Sequence, residues 1–495
     1  MGIIIKQTIR GSFWSYFGTI IGFVTTSYLF PNYLTTDTIG LFSLLVAYST
    51  LFGQFALLGV QGITARLFPH FRDRESGHHG FLFITVIFMS IGFSLFMIAY
   101  VLFSPVLIET NLNDSRLFAD YLYLLVPLTF FTMIFTLFDT YNKVLYDAVT
   151  GTFLQEFFQR VLIFFITLFF IFRLIDLNQL IISYALVVCL KGIFILLFLY
   201  YRGELHFRPE LKFISKAFRK ELIDVALYSV LGGLGSMVVF KIDKIMINEM
   251  LDLGNTGVYT IAFYFGTLVV IPSRPLLKIS GTLIADAWAR DDVDQVKSIY
   301  YKSCITQFLI GSFLFLGIWT NIDNILTILG DKYVQSRWVI FFVGLGYLID
   351  MMTGANGHVI GYSKHYRVAL HFISILVVLV VALLYIFIPL WGITGAAVAI
   401  AIALLLNNLM RFYFLYLKYR MQPFNYRYLL VTAFFTGLYF LLELIPQQYF
   451  IWDILLRGAL VSVATGLFLL VVPVSEDVSN MIKSILTRVK KGTNG

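Results

Sequence analysis

Apolar runs of about 20 residues recur along the whole chain, and that is the length a helix needs to cross roughly 30 Å of hydrocarbon. One run opens at Thr38-Ile39-Gly40-Leu41-Phe42-Ser43, passes Tyr48-Ser49-Thr50-Leu51 and closes on the cation of Arg66-Leu67-Phe68-Pro69. The other runs repeat this design. A β-barrel would instead show runs of about ten residues alternating in polarity. With 59% hydrophobic and 13% charged residues and a mean hydropathy of +0.85, the chain has too little polar surface to cover a water-soluble core of its size. The expected fold is an all-α integral membrane protein.

The runs number about fourteen. They fall at 12–30, 39–65, 81–103, 121–139, 161–172, 180–201, 222–250, 257–285, 299–320, 338–357, 368–388, 393–413, 428–445 and 454–472. When loops are assigned alternately to the two sides, about 26 of the 36 Lys and Arg fall on the side of the N-terminus and about five on the other. Both termini are therefore expected in the cytoplasm, and the first helix reads as retained and not as a cleaved leader. The net charge of +8 is spread over short loops, which points to membrane orientation and not to nucleic acid. Cys189 and Cys304 lack any metal-ligand spacing and read as small core residues.

The longest hydrophilic stretch, 202–221, holds Arg208, Lys212, Lys216, Arg219 and Lys220 with Phe207, Phe213, Ile214 and Phe218 between them. It is expected to lie on the membrane surface as an amphipathic linker. Around it the chain echoes itself. Setting Gly40 on Gly257 places Thr50 on Thr267, Leu51 on Leu268 and Leu57 on Arg274 without a gap. Internal repeats of this kind build many secondary transporters.

Several short motifs resemble the polysaccharide flippases of the multidrug/oligosaccharidyl-lipid/polysaccharide exporter superfamily. They are Gly40-Leu41-Phe42-Ser43, Lys241-Ile242-Asp243-Lys244-Ile245-Met246-Ile247, Gly257-Val258-Tyr259-Thr260-Ile261-Ala262, Ala285-Asp286-Ala287-Trp288 and Pro389-Leu390-Trp391-Gly392-Ile393-Thr394-Gly395-Ala396-Ala397. The resemblance covers nearly the whole length and rests on the order of these motifs. It implies two pseudo-symmetric six-helix bundles, 1–201 and 222–415, joined by the linker, then two accessory helices and a basic tail in 416–495. The substrate it implies is an undecaprenyl-diphosphate oligosaccharide for O-antigen, capsule or exopolysaccharide synthesis. The implied setting is the bacterial inner membrane, beside a polysaccharide polymerase and glycosyltransferases.

A carrier of such a substrate must hold a diphosphate in a wet cavity, and fixed cations do that. A charge at the helix centre costs about 2.5–3.5 kcal/mol even on lenient scales, so each one requires an explanation. Lys191 lies near the centre of the sixth run. Arg274 and Lys278 lie one turn apart on one face of the eighth, beside Pro272 and Pro275, which are expected to break that helix. These three are the candidate diphosphate ligands, arginine being suited to bidentate phosphate contact. Snorkelling of Lys278 and pairing of Lys191 are the competing explanations.

Asp243, Lys241, Lys244, Asp139 and Asp350 are candidates for gating or for coupling to a H+ or Na+ gradient. Internal pairing of Asp243 with a lysine, and an interfacial salt bridge among Asp139, Glu156 and Arg160, are the structural alternatives. Asn407, Asn408 and Arg411 are further candidates for cavity lining, Glu443 reads as wetted, and His358 and His371 are candidates for proton linkage, with packed or interfacial histidines as the structural alternative. Tyr16, Tyr48 and Tyr264 are candidates for stacking on sugars.

The first run contains no Asp or Glu, which weighs against a multidrug cation antiporter of the same fold. A peptidoglycan-precursor flippase would use the same cations. Short outer loops argue against a glycosyl-polymer enzyme, and no GxxxxGK[ST] motif is present for ATP. No cofactor or metal is expected.

Overall fold

The computed structural model describes residues 2–208, 210, 216–472 and 474. Residues 209 and 211–215 of the expected linker, Lys212 among them, and the basic tail with Lys483, Arg488, Lys490 and Lys491 lie outside the described residues. The chain divides into two compact units, 1–260 and 261–495.

In the first unit, α1 (Gly2–Val24) runs through a π-helical turn, Thr25–Leu29, into α2 (Phe30–Tyr33). Next come α3 (Thr36–Ala56), α4 (Val60–Phe71), α5 (Phe81–Asn111), α6 (Arg116–Asp120), α7 (Leu125–Val144) and α8 (Val149–Thr152). A second π-helical turn, Phe153–Phe158, leads into α9 (Gln159–Ile171), then α10 (Leu177–Tyr201) and α11 (Lys216–Met250). The helix α12 (Leu253–Thr267) crosses into the second unit. There α13 (Ser273–Ala289), α14 (Val293–Trp319), α15 (Ile322–Leu329), α16 (Arg337–Thr353), α17 (Asn356–Tyr362), α18 (Val368–Tyr419), α19 (Tyr426–Glu443) and α20 (Phe450–Val471) follow.

The expected apolar runs fall on helices, with turns inside three of them at 57–59, 271–272 and 354–355, and among the described residues ten helical stretches are long and apolar enough to cross a membrane by themselves. The expected runs 368–388 and 393–413 share α18, whose helical geometry fails at Trp391 and at Gly392, with φ 55°. There the chain folds back so tightly that a Cβ on Gly395 would fall on the carbonyl of Phe387. Local chemistry sets other ends. Thr35 caps α3 by accepting from Thr38 N–H at 3.2 Å, and Asp176 with Gln179 forms a reciprocal capping box on α10.

The first unit extends past the expected linker and includes α11, because small residues let that helix approach α3 and α4. Gly62 N–H donates to Ser229 Oγ at 3.1 Å, and a Cβ on Gly59 would collide with the carbonyl of Ala226. Phe68, Phe71, Phe81 and Tyr141 fill the core of this unit, and Ile284, Tyr300, Cys304 and Leu415 that of the second. Ile98, Val101, Leu102 and Phe103 on α5 are exposed, an arrangement that suits lipid and not water.

Candidate functional site

Helix breaks fall at corresponding places in the two members of the sequence repeat, each just after a stretch long and apolar enough to cross a membrane, Thr36–Ala56 and Leu253–Val270. The first breaks between α3 and α4, where Leu58 and Gly59 take φ of 46° and 78°. The second breaks between α12 and α13, where a 3-10 turn at Leu268–Val270 ends on Pro272. Pro272 and Pro275 produce the break expected of them: Pro272 caps α13 and Pro275 sits in its first turn, where no N–H partner is lost. At the repeat's offset of 217 residues, Thr36 of α3 falls on Leu253 of α12, and the end of α4 falls within one residue of the end of α13. Interrupted helices at corresponding places in two repeats mark binding sites in secondary transporters, because the freed backbone groups need a polar lining.

The starts of these two helices cross at matched positions. A Cβ on Gly40 would fall on the carbonyl of Leu253, and a Cβ on Gly257 on the carbonyl of Thr36. Thr260 Oγ1 donates to Ser43 Oγ at 2.9 Å. Each contact is the repeat partner of another, or of itself, as at a two-fold axis.

Within the first unit the ionisable candidates fall into two groups, one around Lys191 and one around Asp243. Lys191 on α10 is half-buried, with Nζ 5.1 Å from the Phe135 ring centre, and it lies within electrostatic range of Glu156, Asp139 and Lys241. Asp139 pairs with Lys143, its other oxygen buried beside Gly151. Glu156 lies in the second π-helical turn and pairs with Arg160 at 2.6 Å, while Arg160 Nη1 donates to Thr19 Oγ1 at 3.3 Å. Gly18 and Gly22 bring α1 directly onto Glu156 and Arg160, a small-xxx-small contact. Asp243 is buried and accepts from Tyr259 Oη at 2.9 Å and from the Lys244 N–H at 2.8 Å. Tyr48, nominated for sugar stacking, is instead buried with its hydroxyl donating to Glu249 at 3.2 Å. Tyr16 is exposed.

In the second unit Arg274 and Lys278 are both exposed on the first turns of α13, and among the described residues neither makes an ion pair. Asp350 belongs to a polar network. Its Oδ1 accepts from Asn408 Nδ2 at 3.0 Å, while Asn408 Oδ1 accepts from Thr353 Oγ1 at 2.7 Å and from Asn356 Nδ2 at 2.8 Å. Arg411 Nη1 reaches Asn356 Oδ1 at 3.4 Å. His358 packs on Tyr362 and Gly281, and His371 is exposed with Nδ1 3.2 Å from the carbonyl of Arg367.

Sequence reasoning missed two polar clusters. Ser115, Asn248, Asn111 and Glu249 form a chain across α5, the segment after it and α11: Ser115 Oγ donates to Asn248 at 2.8 Å, and Asn248 Nδ2 to Asn111 at 2.8 Å. Arg457 on α20 is buried, with Nε on Asp453 at 2.8 Å and Nη1 and Nη2 on the carbonyls of Leu442 and Ile445. Its signal was present in the i,i+4 spacing of Asp453 and Arg457. The segment 72–80 after α4 also docks on the start of the expected linker: Glu204 lies 3.2 Å from Arg74 and 3.4 Å from His78.

An all-helical membrane architecture with interrupted, repeat-related helices defines a transporter-type fold. Solved structures share it, among them the following two. One, described as the lipid II flippase MurJ in an inward closed conformation, superposes with a TM-score of 0.71 at 14% identity, covering 93% of this chain and 99% of that one. The other is an inward-facing multidrug resistance MATE family transporter of the MOP superfamily, with a TM-score of 0.60 at 16% identity, covering 84% and 95% of the two chains. No curated protein sequence matches. The family profile described as polysaccharide biosynthesis protein matches residues 5–284, more than half of the chain, and the chain belongs to that family.

Proposed function

We propose that the chain is an alternating-access flippase that moves an undecaprenyl-diphosphate-linked oligosaccharide from the cytoplasmic to the outer leaflet, for O-antigen, capsule or exopolysaccharide synthesis. The observation that carries this reading is the exposed pair Arg274 and Lys278 on the first turns of α13, directly after the helix break that follows the span Leu253–Val270, neither making an ion pair among the described residues. A cation kept there without a carboxylate needs an anion or water, and a diphosphate supplies the anion. Lys191 is the corresponding cation of the first unit, its charge held by the Phe135 ring and by the more distant acids Glu156 and Asp139. Membership of a polysaccharide biosynthesis family supports the glycan cargo.

In this reading the protein spans the inner membrane with both termini in the cytoplasm. It takes its cargo from glycosyltransferases and delivers it to a polymerase. Asp139, Asp243 and Asp350, with Lys241 and Lys244, are the groups through which a H+ or Na+ gradient would act. The likeness to a lipid II flippase favours a peptidoglycan precursor as the second reading, since that headgroup carries the same diphosphate. A multidrug cation antiporter fits less well, because the first span lacks an acid.

The test is transport in liposomes containing the purified protein, with a fluorescent polyprenyl-diphosphate oligosaccharide, a peptidoglycan-precursor lipid and a cationic dye offered separately. Movement of the oligosaccharide lipid alone is expected. Movement of the dye alone would overturn the proposal.

A further inference from the structure

Arg411 differs from the other arginine buried in a span of the second unit. Arg457 commits Nε, Nη1 and Nη2 to a carboxylate and two carbonyls, so its guanidinium is filled by the protein. Arg411 is half-buried on the last third of α18 and makes one long contact, Nη1 to Asn356 Oδ1 at 3.4 Å. A guanidinium carries five N–H donors in a planar fork. In a membrane-spanning helix the unfilled donors require water or an oxyanion.

The surroundings hold that fork in place and leave room beside it. Asn408 is saturated: its amide oxygen accepts from Thr353 and Asn356, and its nitrogen donates to Asp350 Oδ1 and to the Leu404 carbonyl at 3.0 Å. Asn356, thus fixed, points its own oxygen at Arg411. Asp350 lies within electrostatic range of Arg411, yet two amides stand between them in the hydrogen-bond chain. Its charge supports the guanidinium without occupying the fork. On the neighbouring helix Gly357 has no Cβ, and the one side-chain atom near the place a Cβ would take is Arg411 Nη1, at 3.4 Å.

We propose that Arg411 is a binding residue for a phosphate or diphosphate oxyanion in the second unit, and that Asp350, acting through Asn408 and Asn356, is its positioning residue. Two oxygens of one phosphoryl group match two N–H vectors of the fork, a match that lysine does not offer. The oxyanion belongs either to the lipid-diphosphate cargo, in which case this assignment rests on the flippase reading, or to an anionic lipid headgroup. The amide chain also places the charged carboxylate where its loss would shift the guanidinium and not remove it.

The experiment uses the full chain in phosphatidylcholine nanodiscs, with inorganic pyrophosphate binding measured by calorimetry and folding monitored by thermal unfolding. Arg411→Ala is expected to weaken binding about tenfold or more, the loss of one charge-assisted hydrogen-bonded contact. Arg411→Lys should keep the charge and recover only part of the affinity. Asp350→Asn should weaken pyrophosphate binding and alter its pH dependence while leaving the unfolding temperature near that of the parent, a split that a purely structural role would not give. Equal affinity in folded parent, Arg411→Ala and Arg411→Lys proteins would overturn the assignment. Repeating the titration in discs containing phosphatidylglycerol separates the two sources: competition that disappears in Arg411→Ala identifies a lipid headgroup, and its absence identifies the cargo. Failure of the parent protein to move any glycan lipid in liposomes would remove the flippase reading while leaving pyrophosphate binding at Arg411 to stand or fall by itself.

Discussion

Thr260 Oγ1 donates a 2.9 Å hydrogen bond to Ser43 Oγ, and the two residues hold the same position in the two copies of the internal repeat. A bond between equivalent positions is what a local two-fold axis produces, and the reciprocal contacts of Gly40 and Gly257 flank it. A faint sequence echo thereby acquires a physical basis, since both copies need glycine where the other copy's carbonyl arrives.

That crossing is expected to respond to side-chain size. Gly257→Val should destabilise the fold by about 1–3 kcal/mol, the usual cost of overpacking, because the added carbons meet the Thr36 carbonyl and backbone cannot move aside cheaply. Thermal unfolding in detergent measures it, and an unchanged transition would contradict the packing. A Ser43→Cys/Thr260→Cys pair should cross-link under mild oxidation, read as a reducible shift on a gel after cleavage of an engineered protease site between them.

The break between α3 and α4 depends on Gly59. Its φ of 78° and its approach to the Ala226 carbonyl both exclude a side chain. Gly59→Ala should therefore cost more than the roughly 1 kcal/mol of left-handed strain alone. Protein abundance in the membrane and unfolding temperature should fall together.

Removing one partner of the buried Asp453–Arg457 pair strands the other, a change that typically costs about 3–5 kcal/mol. Arg457→Ala should lower the unfolding temperature sharply and also free the carbonyls of Leu442 and Ile445. The double substitution Asp453→Ala with Arg457→Ala should be less damaging than the two single effects added. Strict additivity would show that the pair is not coupled.

Arg274→Ala should abolish surface glycan while the protein still reaches the membrane, because the exposed guanidinium makes no ion pair among the described residues. Glycan display is read by gel analysis of surface polysaccharide and membrane level by immunoblot. Normal display in that variant would remove Arg274 from the site.

The helices were legible because burial in lipid imposes one rule, an apolar stretch of the right length, and that rule is local. The break at Pro272 was legible for the same reason, since proline acts on its own backbone. The break at Leu58 and Gly59 was not, because 39–65 is continuously apolar and glycine is compatible with an unbroken span; the approach of Ala226 from a distant helix fixes it. Asp139, Glu156 and Lys191 were visible as charges, but their grouping depends on α7 and the π-helical turn before α9 both packing on α10. Asn408 was visible as a polar residue, yet only the fold showed its amide filled on both sides and Arg411 left almost empty.

The sequence by itself therefore determined that this is a membrane-spanning helical chain with an internal repeat and with cations where hydrocarbon would not tolerate idle charge. Tertiary structure decided which of those charges are spent. Arg160 and Arg457 are neutralised by acids one turn away, while Arg274, Lys278 and most of the Arg411 fork are not paired with any acid among the described residues. Hydropathy is a sum over neighbours in sequence, whereas the pairing of a charge depends on which helices pack beside it.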